Sequence, residues 1–161
     1  NAGNVVAAIY SQIIPKSITR NIRVEGANGA QTIAVYKISG TPLTGYLDKT
    51  KTAIGSGQEP SSTDTATTTQ PREALIGVIG TEGPDGDAAG TWNGDTTENN
   101  QRLGTTGGGA ATNITVAAAT KIVTATGAYS ADKTAIEARD WAALIATYKL
   151  ANPVSKGYIS W

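Results

Sequence analysis

The sequence predicts a mainly β fold, antiparallel and either a β-sandwich or jelly-roll-like. It adds one C-terminal amphipathic helix over about 131–151 and long loops rich in Gly and Thr. Three observations carry that expectation. Asn28-Gly29, the preferred two-residue hairpin turn, sits between two alternating runs. Short β-branched segments recur between breaks rich in Gly, Pro and Thr. One stretch near the C-terminus instead spaces its apolar residues at helical intervals.

Residues 1–17 form an apolar N-terminal arm. From Val5 to Ile14 only Ser11 and Gln12 interrupt the apolar run, and Pro15 ends it. Such a run suits a short helix or a strand buried on both faces. Residues 18–161 are expected to form a single β-rich domain. Within 18–38 the turn at Asn28-Gly29 pairs Val24 with Ile33 and Ile22 with Val35. Those four share one face, the predicted core face, while Thr32, Ala34 and Tyr36 lie on the other. Gly40-Thr41-Pro42 is a turn, and Leu43 to Leu47 and Thr52 to Ile54 are short strand candidates.

Residues 56–72, low in complexity and carrying Pro60 and Pro71, are expected as an exposed loop. The run 73–80, EALIGVIG, is a buried strand candidate. Residues 81–110 hold eight glycines, five acidic residues and one Arg, and read as a second exposed loop, too long for an ordinary connection. Residues 112–126 return to β-type alternation. For the helix, Ser130 is a good N-cap and Asp132 suits the positive helix end. Ile136, Trp141, Leu144, Ile145 and Tyr148 then fall near one face, and Pro153 stops it. Residues 154–161, VSKGYISW, suggest a final strand.

Composition narrows the function. Ala (25), Thr (24) and Gly (19) make up about two fifths of the 161 residues. Cys, His, Met and Phe are absent. That removes thiol nucleophiles, Ser-His-Asp triads, imidazole bases and ordinary zinc, copper or haem sites. Thirteen basic and thirteen acidic residues cancel, so no electrostatic footprint for nucleic acid is present. No apolar run is long enough to insert in a membrane as a helix. The chain begins at Asn1 and not at Met, which reads as a processed, exported chain.

Few motifs carry chemistry. Asp85, Asp87 and Asp95 in the Gly-rich loop offer hard oxygen donors to calcium, but lack the EF-hand spacing. Glu82, Asp85 and Asp87 do not supply a glycosidase pair across an aromatic cleft. The Gly run at 105–112 lacks the phosphate-loop pattern. Asn113-Ile114-Thr115 is a glycosylation sequon, which requires an exposed Asn113. Trp141 is expected in the core, and Trp92 and Trp161 as anchors for a partner.

The sequence therefore points to a structural subunit without enzymatic activity or a required cofactor. It would assemble with identical subunits into an extracellular, pilus-like homopolymer. Strand exchange through Val5, Val6, Ile9, Tyr10, Ile13 and Ile14, with Trp161 as a further anchor, would join the subunits. A virion structural protein (phage capsid, decoration or tail) fits the same features. A secreted module binding calcium or carbohydrate is the third reading.

Overall fold

A computed structural model describes residues 5–14, 23, 25 and 29–151. The fold is mainly β and antiparallel, with no long helix among the described residues. The described residues form seven strands: β1 (Leu47–Gly57), β2 (Glu73–Glu82), β3 (Ala89–Trp92), β4 (Glu98–Gly104), β5 (Ile114–Val123), β6 (Lys133–Ile136) and β7 (Arg139–Lys149). Five form one sheet in the order β1-β7-β2-β5-β4, and β3 pairs with β6 in a second, two-stranded sheet. A single 3-10 turn spans Ala110–Thr112.

Position in the sheet explains composition. β2, β5 and β7 are flanked on both sides; β2 and β7 are near-continuously apolar, as strands buried on both faces must be, while β5 is fully buried chiefly at its centre. β1 and β4 are the edges and carry Lys49, Lys51, Glu98 and Arg102, charges that discourage further pairing. β7 comes last among the described strands yet lies between β1 and β2. The sheet closes only when this strand inserts.

The two faces are covered differently. On one, Leu75, Ile79, Ile145, Ala143 and Trp141 meet Ala131, Ile136, Trp92 and Tyr129 from β6, β3 and the neighbouring loop. We call this the packed face. On the other, Ala74, Ile76, Ala146, Tyr148 and Leu150 are met by Ile9, Tyr36, Ile38 and Tyr46 from the N-terminal third of the chain. We call this the open face. β2 has a glycine for each: a Cβ at Gly77 would lie 2.6 Å from Ala131 Cβ, and one at Gly80 3.3 Å from Ala7 Cβ.

Several expectations are corrected. No helix spans 131–151: those residues form β6 and β7. Ser130 and Asp132 bond to each other and to Ser61 and Asp95, and cap nothing helical. The excursion 81–110 contains β3 and β4. The stretch 56–72 packs more closely than an exposed loop. Pro60, Ser62, Thr65 and Thr68 are buried, and the N–H groups of Ser62, Thr65 and Thr68 donate to Ala131, Tyr129 and Gly127. Of the hairpin over 18–38, Ile22, Val24 and Asn28 lie outside the described residues. Residues 31–39 are extended but form no ladder, and their inward face is the reverse of the expected one. Thr32, Ala34, Tyr36 and Ile38 are half-buried, while Ile33 and Val35 are 47% and 51% exposed. The strand expected over 154–161 lies outside the described residues.

Candidate functional site: the open face and its two covering segments

The open face is covered by extended chain and not by a third sheet. Residues 5–9 alternate in burial, with Val5, Ala7 and Ile9 turned to the sheet and Val6, Ala8 and Tyr10 turned out. Alternation follows from extended backbone, whose successive side chains point to opposite sides. Val5 is 4% exposed and lies over Gly80. Ile9 packs against the cluster of Ala74, Ile76, Ala146, Tyr148 and Leu150. Tyr46, stacked on Tyr148 with ring centroids 6.2 Å apart, donates its hydroxyl to Ser11 O at 3.4 Å. The segment thus runs along β2 from the Gly80 end toward the Ala74 end.

A second segment lies beside it, over β4 and β5. Thr32 Oγ1 donates to Leu103 O at 3.1 Å. Tyr36 Oη lies 2.9 Å from both Asn99 O and Ala118 O. Burial raises the Tyr36 pKa, so the phenol stays a donor. Gln101 Nε2 donates to Val35 O at 3.4 Å. Among the described residues, no main-chain hydrogen bond joins 5–14 or 32–39 to the sheet. Side-chain packing and a few side-chain bonds hold both.

This layer leaves apolar surface open. Among the described residues, the exposed large apolar side chains are Val6, Tyr10, Ile14, Ile33, Val35, Leu43, Leu47, Ile54, Leu103 and Ile122. The first six belong to the N-terminal third. The other four lie on strands, and register places all four on the open face. Leu47 is opposite Tyr148, Ile54 opposite Ala142, Leu103 opposite Val116, and Ile122 opposite Ala74. The packed face contributes none. Scattered exposed apolar residues are ordinary; a set confined to one side marks a contact surface.

The expected subunit contacts fall as follows. Val5, Val6, Ile9, Tyr10, Ile13 and Ile14 are on the covering segment, with Val5 buried, Ile9 and Ile13 half-buried and the rest exposed. Trp161 lies outside the described residues. Trp92 is half-buried in the core, with Lys133 Nζ 5.3 Å from its ring centroid, and is not a free anchor. Trp141 is 8% exposed and in the core as expected, but on a strand.

The three aspartates are kept apart. Asp85 pairs with Arg102 at 2.7 Å, Asp87 with Arg139 at 2.8 Å, and Asp95 accepts from Ser130 N at 2.8 Å. Among the described residues no three carboxylates converge on a point where a metal would sit. Asn113 is 5% exposed. Its side chain accepts from Thr105 Oγ1 and donates to Gly107 O and Gly109 O, so the exposure a sequon needs is missing. Beside Arg102, Arg139 and Lys133 lies a cavity of about 20 Å³, room for one water. There burial, then the Arg102 charge, lowers the Lys133 pKa to about 8. No described helix is long and apolar enough to cross a membrane.

Searched against protein-family models, curated proteins and solved structures, the chain matches none.

Sequence reasoning missed two positions. Gly80 makes room for Val5 and Ala7, and its signal was a glycine inside a strand. Glu73 is 0% exposed on the packed face, in register with Lys149. A carboxylate at the head of an apolar run carries no sequence signal of its own burial.

Proposed function

We propose that this chain is a structural subunit of an extracellular homopolymer, joined by exchange of residues 5–14 between neighbours. We read the fold as a β-sandwich whose open face receives an extended segment in place of a full second sheet. One observation carries the proposal: 5–14 fills a groove on the open face while no main-chain bond ties it to that sheet. A segment held by inserted side chains and a side-chain hydrogen bond from Tyr46 to Ser11 O is replaceable by the same segment of another copy, because the contacts formed equal those lost. Exchange then extends a chain of subunits without new chemistry. The outward apolar residues Val6, Tyr10, Ile33 and Val35 give neighbours a surface to bury. A composition without Cys or Met, which oxidants attack first, suits a durable material outside the cell.

The virion reading uses the same contacts and differs in the shape assembled. The module for calcium or sugar draws less support, since its acidic residues are committed to Arg102, Arg139 and Ser130.

Electron microscopy of purified full chain, and of the chain lacking residues 1–14, tests the proposal. Rods from the full chain and dispersed subunits from the truncated one are expected. Closed shells would favour the virion. Identical rods from the truncated chain would overturn exchange.

A further inference from the structure

At the end of the packed face, three side chains from three adjacent strands converge. Glu73 on β2 and Lys149 on β7 are directly paired in register. Asp48 lies on β1, where the pairing with β7 is irregular between Leu47 and Thr50. Lys149 Nζ is 3.4 Å from Asp48 Oδ1. The Asp48 side chain is only 3% exposed. Thr69 fixes it from above: its N–H donates to Oδ2 at 2.6 Å and its hydroxyl to Oδ1 at 2.7 Å. Glu73 is 0% exposed, its carboxyl facing the Thr147 hydroxyl and the Asp48 carboxylate without a hydrogen bond of good geometry to either. A buried carboxyl so poorly satisfied beside a second carboxylate is costly and calls for an explanation.

We propose that Lys149 and Asp48 condense into an intramolecular amide that links β7 to β1, with Glu73 carrying the protons. The reaction starts from the ammonium of Lys149 and the carboxylate of Asp48. A proton leaves Nζ for the Asp48–Glu73 carboxyl pair. The free amine attacks Asp48 Cγ, and a C–N bond forms. The Thr69 N–H and hydroxyl, already on the Asp48 oxygens, stabilise the charge that builds there. Glu73 passes a proton from nitrogen to the departing oxygen, the C–O bond breaks and one water leaves. Glu73 ends as it began. Ammonium plus carboxylate becomes amide plus water, with no oxidant, reductant or other reactant.

The site favours this direction. Contact at 3.4 Å inside a fixed sheet replaces a bimolecular encounter. The Asp48 carboxylate, 3% exposed, loses its charge on becoming an amide, which removes the cost of burying it, while the Lys149 side chain is 29% exposed. Burial also raises Glu73 to about 7, with Thr147 lowering it, Asp48 raising it and Lys149 lowering it, so it exchanges protons near neutrality. Lys49 is the other cation nearby, 3.7 Å from Asp48 Oδ1, but it adjoins Asp48 in sequence and is not the residue paired with Glu73. Tyr129 completes the titratable surroundings; its pKa is raised by burial, then by Asp95 and Glu73.

The test does not depend on polymerisation. Denaturing mass spectrometry of the purified full chain should give a mass one water below that of the sequence. Trypsin should release residues 38–49 joined to 140–156, since a linked Lys149 is not cleaved. Glu73→Gln and Lys149→Arg should each return the full mass while keeping the β-type circular dichroism of the parent. A folded parent at full mass, even after long incubation, overturns the proposal. So does a lost water confined to one peptide, as from cyclisation at Asp85-Gly86. A linked Glu73→Gln variant overturns the role of Glu73. The parent measurement decides even where a variant fails to fold.

Discussion

Gly80 seats Val5: a Cβ added at Gly80 would lie 3.4 Å from Val5 Cγ1 and 3.3 Å from Ala7 Cβ. Gly77, three residues earlier in the same strand, stands in the same relation to Thr96 and Ala131 on the opposite face. The pair separates an exchangeable cover from a permanent one. Gly80→Val should push 5–14 off the sheet, expose it to limited proteolysis and abolish polymer. The core should survive, at a cost of about 1–3 kcal/mol for overpacking. Gly77→Val drives its Cβ into Thr96 Oγ1, on the face built by β3, β6 and the 125–132 loop. It should lower the unfolding midpoint more. Equal proteolysis of 5–14 in the two variants would contradict this division of labour.

Glu73 predicts a pH dependence. Burial is the largest cause of its rise to about 7 from an ordinary 4.5, and burial persists whether or not Asp48 and Lys149 are linked. Below about 4.5 the carboxyl is protonated in both folded and unfolded chains. Above that the unfolded chain ionises while the folded one keeps its proton until about 7, so stability falls across this window. The fall is on the order of 3 kcal/mol. Asp48 acts oppositely in the unlinked chain. Burial raises it, but the Thr69 N–H and hydroxyl, Glu73 and Lys149 lower it further, well below the usual carboxylate range. Its contribution is present above its ordinary 3.8 and lost only in stronger acid. Urea titrations at both ends of the Glu73 window should therefore show a slope in the parent and a flatter line in Glu73→Gln. An unchanged slope would mean that Glu73 titrates normally.

The β character of 112–126 was legible from its alternation, and the strand EALIGVIG because a strand buried on both faces is apolar without interruption. The same property hid β7. Trp141, Leu144, Ile145 and Tyr148 sit at helical spacing, but Ala142, Ala143 and Ala146 fill the remaining positions and are buried as well. Alanine reads as a helix former; here it is the small residue that lets covering segments approach both faces of a central strand. The expected core face of 31–38 failed at Tyr36. Alternation placed it outside, whereas its hydroxyl reaches the Asn99 and Ala118 carbonyls and turns that parity inward. The arm was visible as an apolar run. Its groove was not, because a groove over Gly80 requires β2, β5 and β7 side by side.

The hydroxyls of 62–68 were read as solvation and serve as acceptors. Ser62 Oγ accepts from Ala131 N at 2.9 Å, Thr65 Oγ1 from Tyr129 N at 3.1 Å and Thr68 Oγ1 from Gly127 N at 3.2 Å. Each of these residues also donates its own N–H to the partner's carbonyl. The three-residue spacing of hydroxyls on one segment matches a two-residue spacing on the other. Ser62→Ala leaves the Ala131 N–H buried without an acceptor and should cost about 1–3 kcal/mol. Thr63, exposed on the same segment, should tolerate alanine. Denaturant unfolding of the two variants checks the contrast, and Ala131 amide exchange should quicken only in Ser62→Ala. Equal stability would show that water replaces the hydroxyl.

Asp87 gives the last prediction. Its two oxygens face Arg139, Oδ2 to Nε at 2.8 Å and Oδ1 to Nη2 at 3.2 Å, a two-point pair. Both side chains are largely shielded, 28% exposed for Arg139 and 19% for Asp87. The carboxylate supports the Arg139 pKa, which its hydrogen bond raises against desolvation. Asp87→Ala should cost about 1–2 kcal/mol, below the upper range for charged pairs because solvent still screens this one. The Arg139 guanidinium would lose its acceptor at the start of β7. Chelator should leave the parent's melting temperature unchanged, since Arg139 already occupies the donors that calcium would need. Calcium added to Asp87→Ala should not restore what is lost. A melting temperature that falls on chelation, or rises with calcium, would return these aspartates to metal binding and remove the ion pair as their role.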